Sequence, residues 1–149
     1  MGIFNAFNIN ASGMTAQRYR MDIISENVAN VNTTRTADGT PYRRKIVTFE
    51  QMPTRGSGSF RRVFENYRNS FNGQGVRVTK VSEDHKTEMV MAYDPSHPDA
   101  DENGYVTYPN VNIVTEMTNL IDASRAYEAN ATAFSTSKAI ALKGLEMGQ

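Results

Sequence analysis

The sequence contains no cysteine and no tryptophan, and it has only two histidines, His85 and His97. Without cysteine, neither a disulfide framework nor thiol chemistry is available, and this criterion leaves the compartment open. Each histidine stands beside acidic residues in a predicted turn, with no second histidine nearby to complete a zinc site. Neither is near a glycine-flanked serine, so no Ser-His-Asp arrangement can be assembled. We therefore expect no metal, no cofactor and no catalytic centre.

Long apolar runs are also missing. Asn5, Asn8 and Asn10 interrupt the N-terminal hydrophobic residues, and no stretch of about 18 apolar residues occurs in the chain. This pattern predicts neither a Sec-type signal peptide nor a membrane-spanning helix. Export by a route that uses no such signal stays open.

The chain has no net charge, because 16 basic residues balance 16 acidic ones. This balance gives no general attraction to nucleic acid or to anionic membranes. The charges are nevertheless segregated along the chain. The basic residues of positions 35–68 are Arg35, Arg43, Arg44, Lys45, Arg55, Arg61, Arg62 and Arg68. The acidic residues of positions 83–102 are Glu83, Asp84, Glu88, Asp94, Asp99, Asp101 and Glu102.

The C-terminal third is predicted to form one long helix. No glycine or proline interrupts residues 112–143, and apolar residues recur at intervals of three and four for more than four heptads. That spacing is typical of a helix with one narrow apolar seam. The predicted seam contains Ile113, Met117, Leu120, Tyr127, Ala131, Phe134 and Leu145.

The N-terminal residues 3–31 repeat this spacing, although Ser12 and Gly13 predict a frayed or late helix start. A long helix in a chain of 149 residues needs a partner for its seam, so the terminal helices are predicted to pair as a coiled coil. Polar residues beside the seams are expected to hydrogen-bond to neighbouring copies: Asn27, Asn30, Asn112, Asn119, Asn130 and Ser135. The N-terminal seam contains Ile3, Phe7, Met14, Met21, Ile24, Val28 and Val31.

The residues between the helices favour β-structure. Strands are predicted at 42–49, 76–81 and 87–93, with the last two forming a pair, and residues 104–109 are predicted to be extended. Residues 53–59 are typical of a flexible connector and 60–72 of a short amphipathic helix. The predicted fold class is α+β, with residues 1–34 and 111–149 as a helical coiled-coil core. Residues 35–110 form a β-rich module, in which 53–74 are a variable insertion.

Two short motifs suggest binding, but each has a simpler explanation. Residues 99–104 match the opening of a calcium loop, yet the twelfth position holds Asn110, after Pro109, instead of a bidentate glutamate. A polar turn explains them better. Residues 55–71 interleave arginines with aromatic residues, as nucleic-acid surfaces do. The neutral total charge and the lack of any nucleic-acid module favour a protein interface there.

Three motifs, in the right order, resemble those of the bacterial flagellar rod, hook and hook-junction proteins. Residues 29–33, ANVNT, match the signature that follows the N-terminal helix, and residues 116–130 resemble the C-terminal signature that ends in RAYEAN. Residues 93–112 are similar to the corresponding segment of rod proteins, whereas residues 53–72 match no family pattern. The motif residues are Ala29, Asn30, Asn32, Thr33, Gly104, Tyr105, Tyr108, Pro109, Asn110, Arg125, Ala126, Tyr127 and Asn130.

The resemblance implies a structural, non-enzymatic subunit of the flagellar rod, in the basal body within the periplasmic space. It implies terminal helices that form an inner layer around an export channel, with the β-rich module outside. The implied partners are other copies, other rod subunits and a basal-body ring or export-gate adaptor. Export would use the flagellar type III apparatus without a cleaved signal peptide.

The charge segregation adds an expectation about assembly. The basic region of one copy is expected to face the acidic region of the next. The residues expected to make electrostatic contacts are Arg61, Arg62, Asp99 and Asp101. Nucleic acid is not an expected partner.

Two other classes of protein share part of the pattern. A cytoplasmic helical adaptor or export chaperone would also present paired amphipathic helices. An enzyme acting on peptidoglycan would need two carboxylates on either side of its substrate. The carboxylates of residues 94–102 instead lie in one turn segment.

Overall fold

The computed structural model describes residues 3–52, 64 and 74–147. In chain order its elements are α1 (Ile3–Ala29), β1 (Lys45–Gln51), β2 (Val76–Glu83), β3 (Val90–Tyr93), β4 (Tyr105–Tyr108) and α2 (Ile113–Glu146). The predicted α+β class is confirmed, since two long terminal helices flank a small module of strands. Neither helix of the described residues is apolar enough over its length to cross a membrane.

The chain divides into two compact units. The first contains the described residues of 1–18, 49–79 and 124–149, and the second contains 19–48 and 80–123. Each unit therefore includes part of both terminal helices. The predicted division into residues 1–34 with 111–149 and residues 35–110 follows the elements instead, and it stays a prediction. The connector and helix predicted within residues 53–72 lie, apart from Phe64, outside the described residues.

In the first unit the segments of α1 and α2 run antiparallel. The rings of Phe7 and Phe134 lie with their centroids 5.0 Å apart. Further along α1, Gly13 lies against Asn130, because a Cβ on Gly13 would stand 2.7 Å from the Asn130 Oδ1. Positions rise along α1 as they fall along α2, which defines the antiparallel direction.

α1 continues without interruption through Ser12 and Gly13, so the predicted late start is wrong. The Ser12 hydroxyl donates to the carbonyl of Ile9 at 2.7 Å and accepts from the Val76 backbone nitrogen at 3.1 Å. The missing side chain of Gly13 leaves room for α2 at this point. Tertiary contacts of this kind outweigh the low helix propensity of both residues.

Gly75 is another position where the packing demands glycine. A Cβ there would lie 2.2 Å from the Ser12 Oγ and 3.0 Å from the Ser12 Cβ. We expect Gly75→Ala to displace the Ser12 hydroxyl and to lower the free energy of unfolding by about 1–3 kcal/mol, the usual range for overpacking. Urea unfolding of the purified chain measures this loss.

Two further variants test that explanation. Gly144, a helical residue of α2 with open space around its Cβ position, is the matched control. Gly144→Ala should be neutral or stabilising by up to about 1 kcal/mol. Ser12→Gly combined with Gly75→Ala should recover part of the loss. Wild-type stability in Gly75→Ala alone would contradict the close approach.

The predicted pairing of the second and third strands is wrong. β2 pairs with β1, and β3 pairs antiparallel with β4. After β2, Asp84 builds a turn, because its carboxylate accepts from the backbone nitrogens of Lys86 and Thr87 and from the Thr87 hydroxyl. Gly104, with φ near 80°, closes the loop between β3 and β4, where its carbonyl accepts from the Asp94 nitrogen at 2.9 Å.

Candidate assembly interface

Glu116, in the first turn of α2, is only 1% exposed although it carries a carboxylate. Its Oε1 accepts from the Arg44 Nε at 2.8 Å and lies 2.7 Å from the Arg44 Nη2. Its Oε2 accepts from the Asn27 Nδ2 at 3.0 Å. The charge of Glu116 is therefore compensated by one cation and one neutral donor, as a buried carboxylate requires.

Asn27, in α1, is equally buried and uses every hydrogen-bonding position of its amide. Besides Glu116, its Nδ2 donates to the Lys45 carbonyl at 2.9 Å. Its Oδ1 accepts from the Tyr42 hydroxyl at 2.9 Å and from the Lys45 backbone nitrogen at 2.8 Å. The expectation that Asn27 bonds to neighbouring copies is wrong, since its amide is fully occupied within the chain.

Asn110 extends this buried polar cluster toward the turn after β2. Its Oδ1 accepts from the Arg44 backbone nitrogen at 2.9 Å, and its Nδ2 donates to the carbonyls of Asp84 and Thr87. Hydrogen bonds from the Thr87 hydroxyl, and then from the backbone nitrogens of Thr87 and Lys86, lower the pKa of Asp84. The cluster thus joins α1, the start of β1, the turn after β2 and the start of α2.

Tyr42 gives this cluster a measurable pH dependence. Burial, followed by the charges of Glu26 and Glu116, raises the pKa of Tyr42 from its ordinary 10.0 to about 12. Since the folded pKa is the higher one, this contribution to stability is fully present below pH 10.0 and is lost as pH rises toward about 12. We expect the free energy of unfolding to fall over that window.

The control for this alkaline loss is Tyr42→Phe, because lysines also titrate in the same window. Urea unfolding of both proteins at a series of alkaline pH values isolates the phenol. Tyr42→Phe should lose about 1 kcal/mol near neutral pH from the missing hydrogen bond. Its stability should then fall less steeply with pH than that of the wild type. Parallel pH profiles would contradict the assignment.

The first family motif lies where α1 ends. Ala29 is the last residue of α1, and the Thr33 hydroxyl donates to the Asn30 Oδ1 at 3.1 Å. The Asn30 Nδ2 donates back to the Glu26 carbonyl at 2.9 Å. Asn32 is exposed. Backbone bonds from the Asn30 nitrogen to the Glu26 carbonyl and from the Val31 nitrogen to the Val28 carbonyl satisfy acceptors at the end of the helix. The role of the motif in assembly stays a prediction.

Residues 125–130, the RAYEAN end of the C-terminal motif, lie on the middle of α2, in the first unit. Arg125 is exposed, whereas Ala126 and Tyr127 are half-buried. Asn130 faces Gly13 and donates to the Ala126 carbonyl at 2.7 Å. Its side chain therefore lies in the contact between the helices of this unit.

The predicted seams are partly buried within the chain. Ile24 is buried, and nine other seam residues are half-buried: Phe7, Met14, Met21, Val28, Val31, Leu120, Tyr127, Ala131 and Phe134. The side chain of Ile3 lies outside the described part of the structure. The membership of these residues in an interface between copies stays a prediction.

Ile113, Met117 and Leu145 are exposed in the single chain, and their place in the assembly seam stays a prediction. The covered face of α2 runs instead through residues at alternating intervals of four and three that are often small or polar. These are Glu116, Leu120, Ala123, Tyr127, Asn130 and Phe134. Leu120, Tyr127 and Phe134 belong to both the covered face and the predicted seam. Glu116 and Asn130 each lie one position before a residue of the predicted seam.

The offset leaves an apolar stripe uncovered on α2 in the second unit. It consists of Ile113, Val114, Met117 and Ile121, all exposed and spaced at helical intervals. A contiguous exposed apolar surface is typical of a protein contact. The stripe is therefore a candidate interface with another polypeptide.

The residues predicted to make electrostatic contacts are only partly described. Asp99 accepts from the Thr34 hydroxyl at 2.8 Å and lies 3.6 Å from the Arg35 guanidinium. Asp101 accepts from the backbone nitrogens of Asn103 and Tyr105. Arg61 and Arg62 lie outside the described residues, so the electrostatic contacts between copies stay a prediction. The described residues include no group of three or more acidic or histidine side chains that could hold a metal.

The sequence interpretation missed the partnership of Arg44 with Glu116 and the role of Asn27. The only sequence signals for these contacts are a glutamate within the C-terminal motif and an asparagine two residues before the N-terminal motif. Neither reveals its partner, because Arg44 lies 72 positions from Glu116 in the chain.

Family models match both ends of the chain. Residues 7–35 match the model described as flagella basal body rod protein, and residues 102–147 match the C-terminal model of flagellar basal body rod FlgEFG proteins. Together with the two long terminal helices, these matches define a structural protein of the bacterial flagellar axis.

Similarity to curated relatives extends along nearly the whole chain. A protein of Borreliella burgdorferi is 46% identical over 94% of this chain and 93% of its own length. Proteins of Bacillus subtilis and Salmonella typhimurium are 40% and 37% identical over the full length of both chains. All three relatives are named flagellar basal-body rod protein FlgC. The chain belongs to the flagellar basal-body rod protein family.

Proposed function

We propose that this chain is a structural subunit of the proximal rod, the part of the flagellar drive shaft nearest the membrane. The observation that carries the proposal is the similarity to relatives named FlgC along nearly the whole chain, at 37–46% identity for the three described above. In this role the subunit transmits torque from motor to hook by sharing many contacts with its neighbours. It needs no cofactor and no catalytic residue.

The proposed assembly uses the two terminal helices as the inner wall of a tube around the export channel, with the β-rich module outside. The exposed stripe of α2 supports this arrangement, because in a single copy it faces no partner in the described structure. A contact between two different surfaces of successive copies does not close, so it generates a helical array. The proposed partners are other copies, other rod subunits and a basal-body ring or export-gate adaptor.

The proposed location is the basal body, where the rod crosses the periplasm. We propose that the chain reaches it through the flagellar type III apparatus without a cleaved signal peptide. An isolated chain with uncovered apolar helix faces would acquire its full set of contacts only on docking.

Deletion of the gene, followed by imaging of purified basal bodies, tests this function. We expect the deletion strain to be non-motile and to lack rods, and we expect the wild-type gene to restore both. Mass spectrometry should find the chain in the restored basal bodies. Intact rods in the deletion strain would refute the proposal. Recovery of the chain only in the cytoplasm, bound to export substrates, would favour the helical adaptor or chaperone.

A further inference from the structure

Three exposed side chains of the β3–β4 hairpin, those of Met91, Tyr93 and Tyr105, lie on one of its two faces. The antiparallel register pairs Met91 with Thr107 and Tyr93 with Tyr105, which places these four residues on the same face. Val106, on the opposite face, is fully buried. Met91 and Tyr93 are 69% and 67% exposed, and the rings of Tyr93 and Tyr105 meet edge to face with centroids 5.3 Å apart. We call these four residues the outer face of the hairpin.

A polar cleft adjoins the outer face in the same unit. The cleft has a volume of about 360 Å³, and Tyr105 and Thr107 line it together with Arg35, Asp99 and Asp101. Asp99 lies 3.6 Å from Arg35, whose side chain is 70% exposed. Such an exposed ion pair is weak, so another cation can replace Arg35 at little cost. The cleft therefore places the carboxylates of Asp99 and Asp101 beside Tyr105 and Thr107 of the outer face.

The chemistry of this surface specifies its partner. Tyrosine rings attract guanidinium groups over their faces, and exposed apolar and aromatic side chains are typical of interface centres. The carboxylates at the edge favour a cationic partner and disfavour an anionic one. The matching partner is a segment that alternates arginines with aromatic residues.

The chain itself contains such a segment. Residues 55–68, RGSGSFRRVFENYR, include four arginines against one glutamate and three aromatic residues. We propose that the outer face of the hairpin and its cleft bind residues 55–68 of a second copy of this chain. Surface and occupant differ, so successive copies add in one direction, as an open helical array requires. The inference rests on the proposed function insofar as copies must assemble side by side.

Binding of a labelled peptide of residues 55–68 to the full-length chain tests this contact. The titrated protein carries Arg61→Asp and Arg62→Asp, so that its own segment does not compete. We expect Met91→Lys to weaken binding by about tenfold or more, because it places a cation on the outer face. Asp99→Lys should weaken it similarly, and a peptide with Arg61→Asp and Arg62→Asp should bind the Asp99→Lys protein better than the unmodified peptide does.

Val114→Lys is the matched control, since Val114 is an equally exposed apolar residue on α2 of the same unit. It should leave peptide binding unchanged. Circular dichroism checks that every variant is folded. If Asp99→Lys proves unstable, Met91→Lys still tests the contact, because it changes no hydrogen bond of the hairpin loop. Absence of peptide binding, or equal binding to Met91→Lys and the parent, overturns the inference. The basal-body imaging tests the proposed function independently. If the chain builds rods but does not bind the peptide, only the inferred contact is refuted.

Discussion

Replacement of Glu116 by alanine is expected to lower the free energy of unfolding by about 3–5 kcal/mol, the range for a buried ion pair that loses one partner. The change leaves the Arg44 guanidinium without its closest carboxylate, which lies at 2.7 Å in the wild type. It also deprives the Asn27 amide of one acceptor at 3.0 Å. Because whole domains are stable by only about 5–15 kcal/mol, a loss of this size leaves the chain close to unfolding at neutral pH. Urea unfolding followed by circular dichroism measures the loss.

Glu128→Ala is the matched control, because Glu128 lies exposed on the same helix. It should change stability by no more than about 0.5 kcal/mol. Glu116→Leu with Arg44→Met removes both charges of this pair together and should recover part of the loss. The recovery should be incomplete, because Asp84, 3.7 Å from the Arg44 Nη1, also loses its cation. A Glu116→Ala protein that unfolds at the same urea concentration as Glu128→Ala would show that the buried cluster contributes little.

The long helices were predictable because their period is a local property of the sequence. Apolar residues at intervals of three and four, with no proline between, predict a helix wherever it packs. The predicted limits of the second helix therefore differ little from the observed Ile113–Glu146. The positions of the three family motifs are likewise local information.

Side-chain contacts between distant positions were not predictable in this way. The seam of α2 was assigned from the spacing of its apolar residues, yet the covered face includes Ala123 and Asn130, and Asn130 lies against Gly13 of α1. The strand pairing failed for a related reason: period-two alternation identifies a strand but not its neighbour. The buried cluster of Glu116 and Asn27 depends on partners 72 and 18 positions away, respectively.

Replacement of Ile24 by aspartate is expected to unfold the second unit. Ile24 is 5% exposed, so the variant loses the burial of a large apolar side chain and places an unpaired carboxylate in the same space. The combined loss should be at least about 4 kcal/mol, which is exceptional for a single substitution. Circular dichroism and urea unfolding of the purified chain should show little cooperative structure, and basal bodies should contain none of the variant.

Ile121→Asp makes the same chemical change at an exposed site of the same unit and separates folding from assembly. Ile121 is 53% exposed on the apolar stripe of α2, so its aspartate stays in water and the chain should unfold like the wild type. If the stripe binds a neighbouring subunit, that aspartate is desolvated only on docking, and the folded variant should fail to enter the rod. Normal rods built from Ile121→Asp would exclude the stripe from the interface, whereas an unfolded Ile121→Asp chain would show that the stripe is covered within the molecule.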